Sequence, residues 1–359
     1  MSTLNAKAMV MEEFNAPLQL REVSMEMPRD VIVVEILAAG ICGSDIHMWR
    51  ANDPRVSLPL VLGHEAVGRI ISLPCEKHDL YGVKLVEGDL VIWNRGMTCG
   101  RCQACVLWKQ PALCSQRWTY GINPPAEFGL LQGGYATHIL LRPETDFLKL
   151  SEADDLTAMV IASCSGATAA HALDLISIRQ DETVLVQGSG PLGLFAVALA
   201  KSRGARVFVI GSGQERLSLA KELGAEEVWD RRATTVEERR EAILKGNAGV
   251  DAVVEAAGSP AAVEEGLELL RPGGSYLVAG FGDPAGTFEL DPYRLARRQI
   301  RLQGVWTSDA RHLAHAVAVV KKQPEVIKRI GTEYPLEAAN EALVAMEKRE
   351  IIKAVLKPE

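Results

Sequence analysis

Thr183-Val-Leu-Val-Gln-Gly-Ser-Gly-Pro-Leu-Gly193 is the most informative stretch of this 359-residue chain. Five residues typical of a buried strand run into the pattern G-x-G-x-x-G, and an apolar helix is predicted over residues 191–203. In this pattern the first glycine permits a tight turn, the second lets the backbone approach a pyrophosphate, and the third allows close packing of helix on strand. The helix N-terminus offers free N–H groups to the phosphates. The stretch therefore predicts a dinucleotide site on a βαβ unit.

The segments that follow repeat this alternation of short apolar runs and helical patterns. Further strands are predicted at 206–210, 252–255 and 276–279, and further helices at 214–223 and 261–270. Such alternation is typical of a parallel sheet covered by helices. We therefore predict an α/β, doubly wound (Rossmann) nucleotide domain over residues 166–305.

The segments on either side of this predicted domain have a different residue pattern. Short β-rich runs, separated by Gly and Pro, lie at 31–37, 68–73, 90–93 and 135–141, which predicts an irregular β-rich domain. Near the C-terminus, two amphipathic helices at 312–322 and 336–348 precede a strand at 351–356. We predict that residues 1–165 and 306–359 form one discontinuous domain, interrupted by the nucleotide domain.

Composition narrows the classes of partner. The chain has 39 Lys+Arg, 46 Asp+Glu, a formal net charge of -7 and 48% hydrophobic residues. An acidic chain without a basic stripe offers no electrostatic footprint for nucleic acid or an anionic membrane surface, so a small-molecule substrate is expected. The first residues lack the apolar core of a signal peptide, which predicts a cytoplasmic protein. Residues 157–176 are too polar for a membrane span and are predicted as a buried strand, turn and helix.

Four cysteines have the spacing C-x2-C-x2-C-x8-C: Cys99, Cys102, Cys105 and Cys114. Four thiolates can close a tetrahedral structural zinc site, with a turn at Gly100 that lets them converge. An iron–sulfur cluster is the competing use of this spacing, and a cysteine-rich loop without a metal is a third alternative. Four of seven cysteines within sixteen residues are rare by chance, which favours structural zinc.

Three more candidate zinc ligands, Cys42, His64 and Cys164, each lie beside glycines. Three protein ligands leave a fourth position for water or substrate, which a catalytic zinc requires. Taken singly, each has a structural alternative: a buried small hydrophobe for either cysteine, and a hydrogen-bonded turn residue for the histidine. The residues alone leave both interpretations open.

The segments Gly40-Ile-Cys-Gly-Ser-Asp-Ile-His47 and Gly63-His-Glu-Ala-Val-Gly68, with the four-cysteine loop and the dinucleotide motif, resemble the zinc-dependent medium-chain dehydrogenases, the family of the zinc alcohol dehydrogenases. The resemblance covers essentially the whole chain. It implies a GroES-like catalytic domain, two zinc ions per chain (one catalytic and one structural), and a homodimer or homotetramer paired near residues 278–280 and Leu302.

The resemblance also implies a role for each residue of the catalytic centre. The ligands of the catalytic zinc would be Cys42, His64 and Cys164; the supporting residues would be Glu65 near the metal, Asp45 orienting His64, Ser44 on the substrate oxygen and His47 at the end of a proton relay. Relatives with polyol substrates use a carboxylate as third ligand. Glu152, Asp154 and Asp155 are therefore alternatives to Cys164.

The cofactor contacts come partly from the motif and partly from the resemblance. The motif predicts contacts at Gly188, Gly190, Pro191, Leu192 and Gly193. The second strand ends at Gly211-Ser212, without the acid that would bind the ribose of NAD and repel the 2′-phosphate of NADP, so we predict that both cofactors are usable. Arg216 either contacts that phosphate or is an exposed helix residue. The resemblance implies further contacts at Thr168, Ala257, Gly258, Gly280, Val305 and Lys353, and Lys353 has a surface lysine as its alternative.

The activity implied by the resemblance is hydride transfer between an alcohol and NAD(P), in the cleft between the two domains. Four tryptophans near that cleft favour a secondary, cyclic or bulky alcohol: Trp49, Trp93, Trp118 and Trp306. A polyol or amino-alcohol dehydrogenase is the nearest alternative. A zinc-free enone reductase, and a non-catalytic zinc-loop module that binds nucleic acid or protein, are disfavoured by the two zinc motifs and the acidic charge.

Overall fold

The computed structural model describes residues 3–126, 129–246, 248–282 and 286–358. Two compact units result: a split unit, Met1–Cys164 with Ser308–Glu359, and a central unit, Ser165–Thr307. Each unit has its own sheets and its own buried core.

The strands are short and many. In chain order they are β1 (Thr3–Met11), β2 (Gln19–Glu26), β3 (Ile32–Gly40), β4 (Leu60–Val61), β5 (Glu65–Ser72), β6 (Leu90–Trp93), β7 (Gly96–Met97), β8 (Trp118–Thr119), β9 (His138–Leu141), β10 (Phe147–Lys149), β11 (Thr183–Gln187), β12 (Arg206–Gly211), β13 (Glu227–Asp230), β14 (Val250–Glu255), β15 (Leu270–Val278), β16 (Arg301–Gly304), β17 (Gly331–Pro335) and β18 (Lys353–Lys357).

The α-helices are mostly of two or three turns. They are α1 (Gly43–Trp49), α2 (Gln103–Val106), α3 (Leu156–Ile161), α4 (Ala167–Asp174), α5 (Pro191–Ser202), α6 (Gln214–Glu222), α7 (Val236–Leu244), α8 (Pro260–Leu269), α9 (Pro292–Arg298), α10 (Ala310–Val320), α11 (Pro324–Lys328) and α12 (Ala339–Glu347). A π-helical turn, Ala162–Gly166, joins α3 to α4, and 3-10 turns lie at Pro111–Leu113 and Leu336–Ala338.

The central unit contains a six-stranded parallel sheet with the order β13-β12-β11-β14-β15-β16. Strand order reverses at β11, whose last residue, Gln187, pairs with Ile210 on one side and Glu255 on the other. Doubly wound sheets bind their ligands at such a switch point, beyond the carboxyl ends of the strands. The predicted fold class is confirmed. The strand β13 was not predicted, because its residues lie at the sheet edge and are only half-buried or exposed.

The split unit is mainly antiparallel. A three-stranded sheet has the order β2-β1-β4, and a larger sheet has the order β10-β6-β5-β3-β18-β17, with β9 also on β3. Strand β18 pairs with β3, Val355 opposite Gly40 and Leu356 opposite Ala39. The last strand of the chain therefore lies in the same sheet as β3 and β5, which come from the N-terminal part of the chain.

The expectation of a strand and turn within residues 157–176 is wrong, because this stretch is helical through α3, the π turn and α4. Asp155 caps α3 by accepting the Ala158 N–H at 3.0 Å. By length and composition, Leu156–Asp174 could cross a membrane, but 78% of that window is buried inside the protein, as in a core helix. The π turn, a feature often found at functional sites, carries Cys164.

Candidate metal centres and nucleotide site

The four-cysteine loop lies between β7 and β8 and turns at Gly100, whose φ is 65°. The sulfur atoms are 3.6 Å apart in Cys102 and Cys105, 3.9 Å in Cys102 and Cys114, and 3.6 Å in Cys99 and Cys114. Zinc at ~2.3 Å from four sulfurs requires edges of about 3.8 Å. The Cys105 backbone N–H makes the largest contribution to lowering the pKa of Cys102, which falls to about 6. The loop therefore fits a closed zinc site.

Cys42, His64 and Cys164 are distant in sequence and adjacent in the structure. Cys42 precedes α1, His64 precedes β5, and Cys164 lies in the π turn. With Glu65, they offer ligand atoms that all lie within 4.8 Å of one another. The two sulfur atoms are 3.9 Å apart, close to the edge of about 3.8 Å that tetrahedral zinc requires. This donor set fits a zinc ion; we call these four residues the ligand cluster.

Polar atoms around the ligand cluster support a cation there. Among the described residues, Asp45 Oδ1, His64 Nδ1 and Glu65 Oε2 are buried without a hydrogen bond of ordinary geometry, although Oε2 lies 2.7 Å from the Lys353 ammonium. His64 Nδ1 lies 3.3 Å from Asp45 Oδ1, which leaves Nε2 for a metal. Burial lowers the pKa of His64, but Asp45 and, to a smaller extent, Cys42 outweigh burial and the pKa rises to about 10. A carboxylate partner of this kind makes an imidazole a stronger metal ligand.

Asp45 is itself held by two hydrogen bonds. Its Oδ2 accepts from the Cys42 backbone N–H at 2.7 Å and from the Tyr135 hydroxyl at 2.9 Å. Tyr135 is fully buried, and its ring lies 2.5 Å from where a Cβ at Gly63 would be. Sequence reasoning missed Tyr135, because it appeared only as one more residue of a predicted strand.

The two thiols of the ligand cluster are inequivalent. The hydrogen bond with Cys164 holds the pKa of Cys42 well below its ordinary value, and His64 lowers it further against the effect of burial. The same contact and burial raise the pKa of Cys164. The positive charges of His64 and Lys353 therefore favour a thiolate at Cys42.

The structure corrects the expectation for Lys353, which is neither on the surface nor available to a pyrophosphate. Its side chain is 1% exposed, and Nζ donates to Glu65 Oε1 at 2.8 Å and to the Ile41 carbonyl at 3.2 Å. Burial raises the pKa of Glu65 to about 7, with the Lys353 charge acting in the opposite direction. Lys353 thus serves the ligand cluster as the counter-charge of Glu65.

The three acids considered as alternatives to Cys164 have other partners. Glu152 forms an ion pair with Arg69 at 2.8 Å. Asp154 accepts the Ser151 N–H at 2.8 Å and pairs with Lys321 at 3.3 Å. Asp155 caps α3 and pairs with Lys328 at 3.2 Å. None of them belongs to the ligand cluster within the part of the chain that the structure describes.

Ser44 and His47 lie three residues apart on α1, and both are half-buried. Residues at this spacing lie on the same side of a helix. The helix that carries both residues begins directly after Cys42. Of the four tryptophans, Trp49 and Trp93 are 6% and 3% exposed and belong to the core of the split unit, which argues against a role as pocket walls.

The glycine-rich loop of the central unit has the steric features that the motif predicts. Gly188 has a φ of 111°, and a Cβ there would lie 2.7 Å from the Ala256 carbonyl oxygen. A Cβ at Gly193 would lie 1.9 Å from the Gly188 carbonyl, so helix and loop pack backbone to backbone. Around Gly190 no described atom outside its own chain neighbours lies within 4 Å of such a Cβ, which leaves room for a ligand. Pro191 and Leu192 open α5 directly after it.

The end of β12 carries no acid. Gly211 is buried, and a Cβ there would lie 2.6 Å from the Ser189 hydroxyl. That hydroxyl donates to the Ser212 carbonyl at 3.0 Å and accepts the Ser212 N–H at 3.1 Å. Arg216 is half-buried on α6. The geometry thus leaves little room for a larger side chain at Gly211.

The remaining predicted contacts lie at the carboxyl ends of the other strands or on α4. Ala257 and Gly258 follow β14, Gly280 follows β15, Val305 follows β16, and Thr168 is a half-buried residue of α4. Sequence reasoning missed Glu255, whose buried carboxylate accepts hydrogen bonds from both of the loops after β14 and β15.

Two family models match the chain. Residues 28–152 match the alcohol dehydrogenase GroES-like domain, and residues 191–322 match the zinc-binding dehydrogenase family. Among curated proteins, 5-exo-hydroxycamphor dehydrogenase of Pseudomonas putida is 30% identical over 333 residues, covering 90% of this chain and 91% of that protein. Sorbitol dehydrogenase of Halalkalibacterium halodurans is 29% identical over 332 residues, covering 91% of each chain.

The chain is also similar to solved structures of dehydrogenases. An alcohol dehydrogenase from Thermotoga maritima has a TM-score of 0.96 at 47% identity, covering 99% of this chain and 100% of that one. A zinc-binding dehydrogenase from Sinorhizobium meliloti bound to NADP has a TM-score of 0.86 at 25% identity, with coverage of 99% and 100%. The chain belongs to the zinc-dependent medium-chain dehydrogenases, as a zinc-dependent, NAD(P)-dependent alcohol oxidoreductase.

Proposed function

We propose that Cys42, His64 and Cys164 hold the catalytic zinc at which this enzyme oxidises a bulky, cyclic or secondary alcohol, and that the four-cysteine loop holds a structural zinc. The observation that carries this proposal is the ligand cluster, in which three remote segments supply two thiols and an imidazole within 4.8 Å. Zinc bound there supplies Lewis acidity, which makes an alcohol easier to deprotonate near neutral pH.

The chain's own residues would position the alcohol and move its proton. Ser44 would accept the hydrogen bond of the substrate hydroxyl, and His47 would pass that proton outward. Asp45 would hold the His64 imidazole in one orientation, with Nδ1 towards the carboxylate. Hydride would leave the carbinol carbon for the nicotinamide ring, so that the alcohol becomes a ketone or aldehyde, with one proton released and the cofactor reduced.

The cofactor would bind across the glycine-rich loop of residues 188–193, at the switch point of the central sheet. Because β12 ends in Gly211 rather than an acid, we propose that NAD and NADP are both accepted, with contacts at Ser212 and Arg216. Kinetics with both cofactors test this, and a preference for NAD above about a thousandfold, or ~4 kcal/mol, would contradict it.

The substrate class rests on the third ligand and on the relatives. In relatives with polyol substrates a carboxylate takes the place of the third ligand, whereas Cys164 occupies the cluster here. The hydroxycamphor dehydrogenase relative, named for a cyclic secondary alcohol, supports the same class. The sorbitol dehydrogenase relative favours a polyol as second candidate. A panel of primary, secondary, cyclic and polyhydroxylated alcohols, assayed with NAD⁺ and NADP⁺, separates the two.

Replacement of one ligand tests the metal assignment. Cys42→Ser should abolish turnover and lower the zinc content from two ions per chain to one. Cys75→Ser is the matched control, because Cys75 is a half-buried free cysteine outside both metal groups. A fully active Cys42→Ser enzyme with two zinc ions would refute the assignment.

We also propose a cytoplasmic homodimer or homotetramer, with residues 1–165 and 306–359 as the catalytic domain and residues 166–305 as the nucleotide domain. The four residues of β16, at the edge of the central sheet, are all exposed, and Leu302 among them is a large hydrophobic residue. An exposed strand edge of this kind can pair with a second copy. Light scattering of the purified enzyme would give the mass of the assembly.

A further inference from the structure

Glu255 is a buried carboxylate at the centre of the nucleotide domain. It is the last residue of β14, is 0% exposed, and pairs in register with Gln187 of β11 at the switch point. Its partners among the described residues are backbone groups: Oε1 accepts the N–H of Ala257 at 2.7 Å and of Gly258 at 2.6 Å, and Oε2 accepts the N–H of Gly280 at 3.2 Å.

The two loops that share this carboxylate also touch each other. Gly258 has a φ of 65°, and a Cβ there would lie 2.7 Å from the Gly280 carbonyl oxygen. A Cβ at Gly280 would lie 2.5 Å from the Gly258 nitrogen and 2.7 Å from the Ala257 nitrogen. The loops after β14 and β15 therefore pack backbone against backbone, and the Glu255 carboxylate accepts hydrogen bonds from both of them.

A buried carboxylate is unfavourable unless hydrogen bonds compensate its lost hydration. Burial raises the pKa of Glu255, and the N–H groups of Gly258, Ala257 and Gly280 act against that rise. An apolar residue at the end of β14 would avoid this conflict, but it would leave three N–H groups at the switch point to find other partners. Glu255 is therefore suited to fixing the shape of these loops.

We propose that Glu255 is a positioning residue for the dinucleotide: it fastens the two loops in the shape that receives the cofactor. It follows that the N–H groups of Ala257, Gly258 and Gly280 are engaged, so these residues would contact the cofactor through carbonyl oxygens and Cα surfaces. The inference rests on the proposed nucleotide site of the central unit.

The test is Glu255→Gln in the zinc-loaded, full-length enzyme. Glutamine keeps the shape, but it removes the charge and turns one acceptor into an NH₂ group that cannot accept. Loss of charge-assisted hydrogen bonds predicts a dissociation constant for NADPH and NADH raised roughly 10- to 100-fold in fluorescence titrations. The kcat at saturating cofactor should change less than about threefold, and both zinc ions should stay bound, since Glu255 touches neither substrate nor metal.

Two further variants make the result decisive. Glu264→Gln, an exposed carboxylate of the following helix, should bind cofactor as the wild type does. Glu255→Asp keeps the charge with a shorter reach, so an intermediate affinity is expected, and it gives a readout if Glu255→Gln does not fold. If the wild type binds cofactor and both Glu255 variants bind it equally well, or lose only thermal stability, the inference is overturned. A wild type without cofactor binding would instead refute the nucleotide site itself.

Discussion

Lys353 and Glu65 form an ion pair in the interior of the split unit, with Nζ 2.7 Å from Oε2 and side chains 1% and 0% exposed. Glu65 begins β5, and Lys353 begins the C-terminal strand β18. The Glu65 charge raises the pKa of Lys353 above its ordinary value although burial acts against it. The last strand of the chain thus completes the charge balance of a cluster whose other members come from the first 164 residues.

Lys353→Met should destabilise the enzyme strongly. Removing one partner of a buried ion pair leaves the other charge unpaired, at a cost of about 3 to 5 kcal/mol. Lys321→Met is the control, because its ion pair with Asp154 joins a half-exposed side chain and should contribute less than about 1 kcal/mol. Denaturant unfolding of both variants measures the difference. Equal losses would contradict a structural role for the Glu65–Lys353 pair.

Tyr135→Phe should weaken retention of the catalytic zinc. The substitution removes the 2.9 Å hydrogen bond to Asp45, the residue that faces the His64 imidazole. Losing such an outer hydrogen bond is expected to lower zinc affinity by about 10-fold, measured by competition with a chelator. Tyr120→Phe is the matched control: its hydroxyl is equally buried and bonds Thr145 at 2.8 Å, away from the cluster. If both variants lost zinc alike, the Tyr135 effect would be general loosening.

The fold could be predicted from sequence wherever local pattern dictates structure. The apolar run before Gly188 and the glycine spacing after it fix a strand, a turn and a helix, and β11 has the predicted bounds. The secondary structure of the stretch around Cys164 is harder to predict, because its apolar residues suit a strand or a buried helix equally. Only packing selects the π turn that points Cys164 towards Cys42 and His64.

Supporting residues were beyond sequence reasoning for a different physical reason. Tyr135 lies 90 residues from its partner Asp45, and Lys353 lies 288 residues from Glu65. Neither pair has a local spacing rule, because its two members meet only in the folded split unit. Asp45 lies in α1 and Tyr135 lies before β9, whereas Glu65 lies in β5 and Lys353 in β18. Glu255 reads as the polar end of an apolar strand, and its role appears only when the loops after β14 and β15 are seen together.

Asp309 should make the split unit sensitive to acid. It caps α10, accepting the N–H of Arg311 at 3.0 Å. Burial raises the pKa of Asp309, but the side chains of His312 and Arg311 outweigh burial and hold that pKa below its ordinary value. A depressed carboxylate pKa contributes stability above the unfolded-state value of about 3.9, and the contribution is lost as pH falls towards the folded-state value.

Asp309→Asn should therefore lower the stability by about 1 to 2 kcal/mol at pH 7, with a smaller difference from wild type below about pH 4. Unfolding curves at several pH values measure this gap. A gap that stays constant across the acid range would show that the charge of Asp309 contributes nothing beyond its hydrogen-bonding shape.

Loss of the structural zinc should lower the stability of the enzyme, whereas loss of the catalytic zinc should abolish its activity. Cys105 lies in the four-cysteine loop, and Cys42 lies in the ligand cluster. Cys105→Ser and Cys42→Ser should each reduce the zinc content from two ions to one, because three thiolates hold structural zinc poorly and two donors cannot retain a catalytic ion. Only Cys42→Ser should abolish turnover at low temperature, whereas Cys105→Ser should stay active and inactivate faster on heating. Zinc analysis measures the metal content of each variant, and the half-life of activity on heating measures its thermal inactivation. An inactive, fully folded Cys105→Ser enzyme would mean that the four-cysteine loop takes part in catalysis.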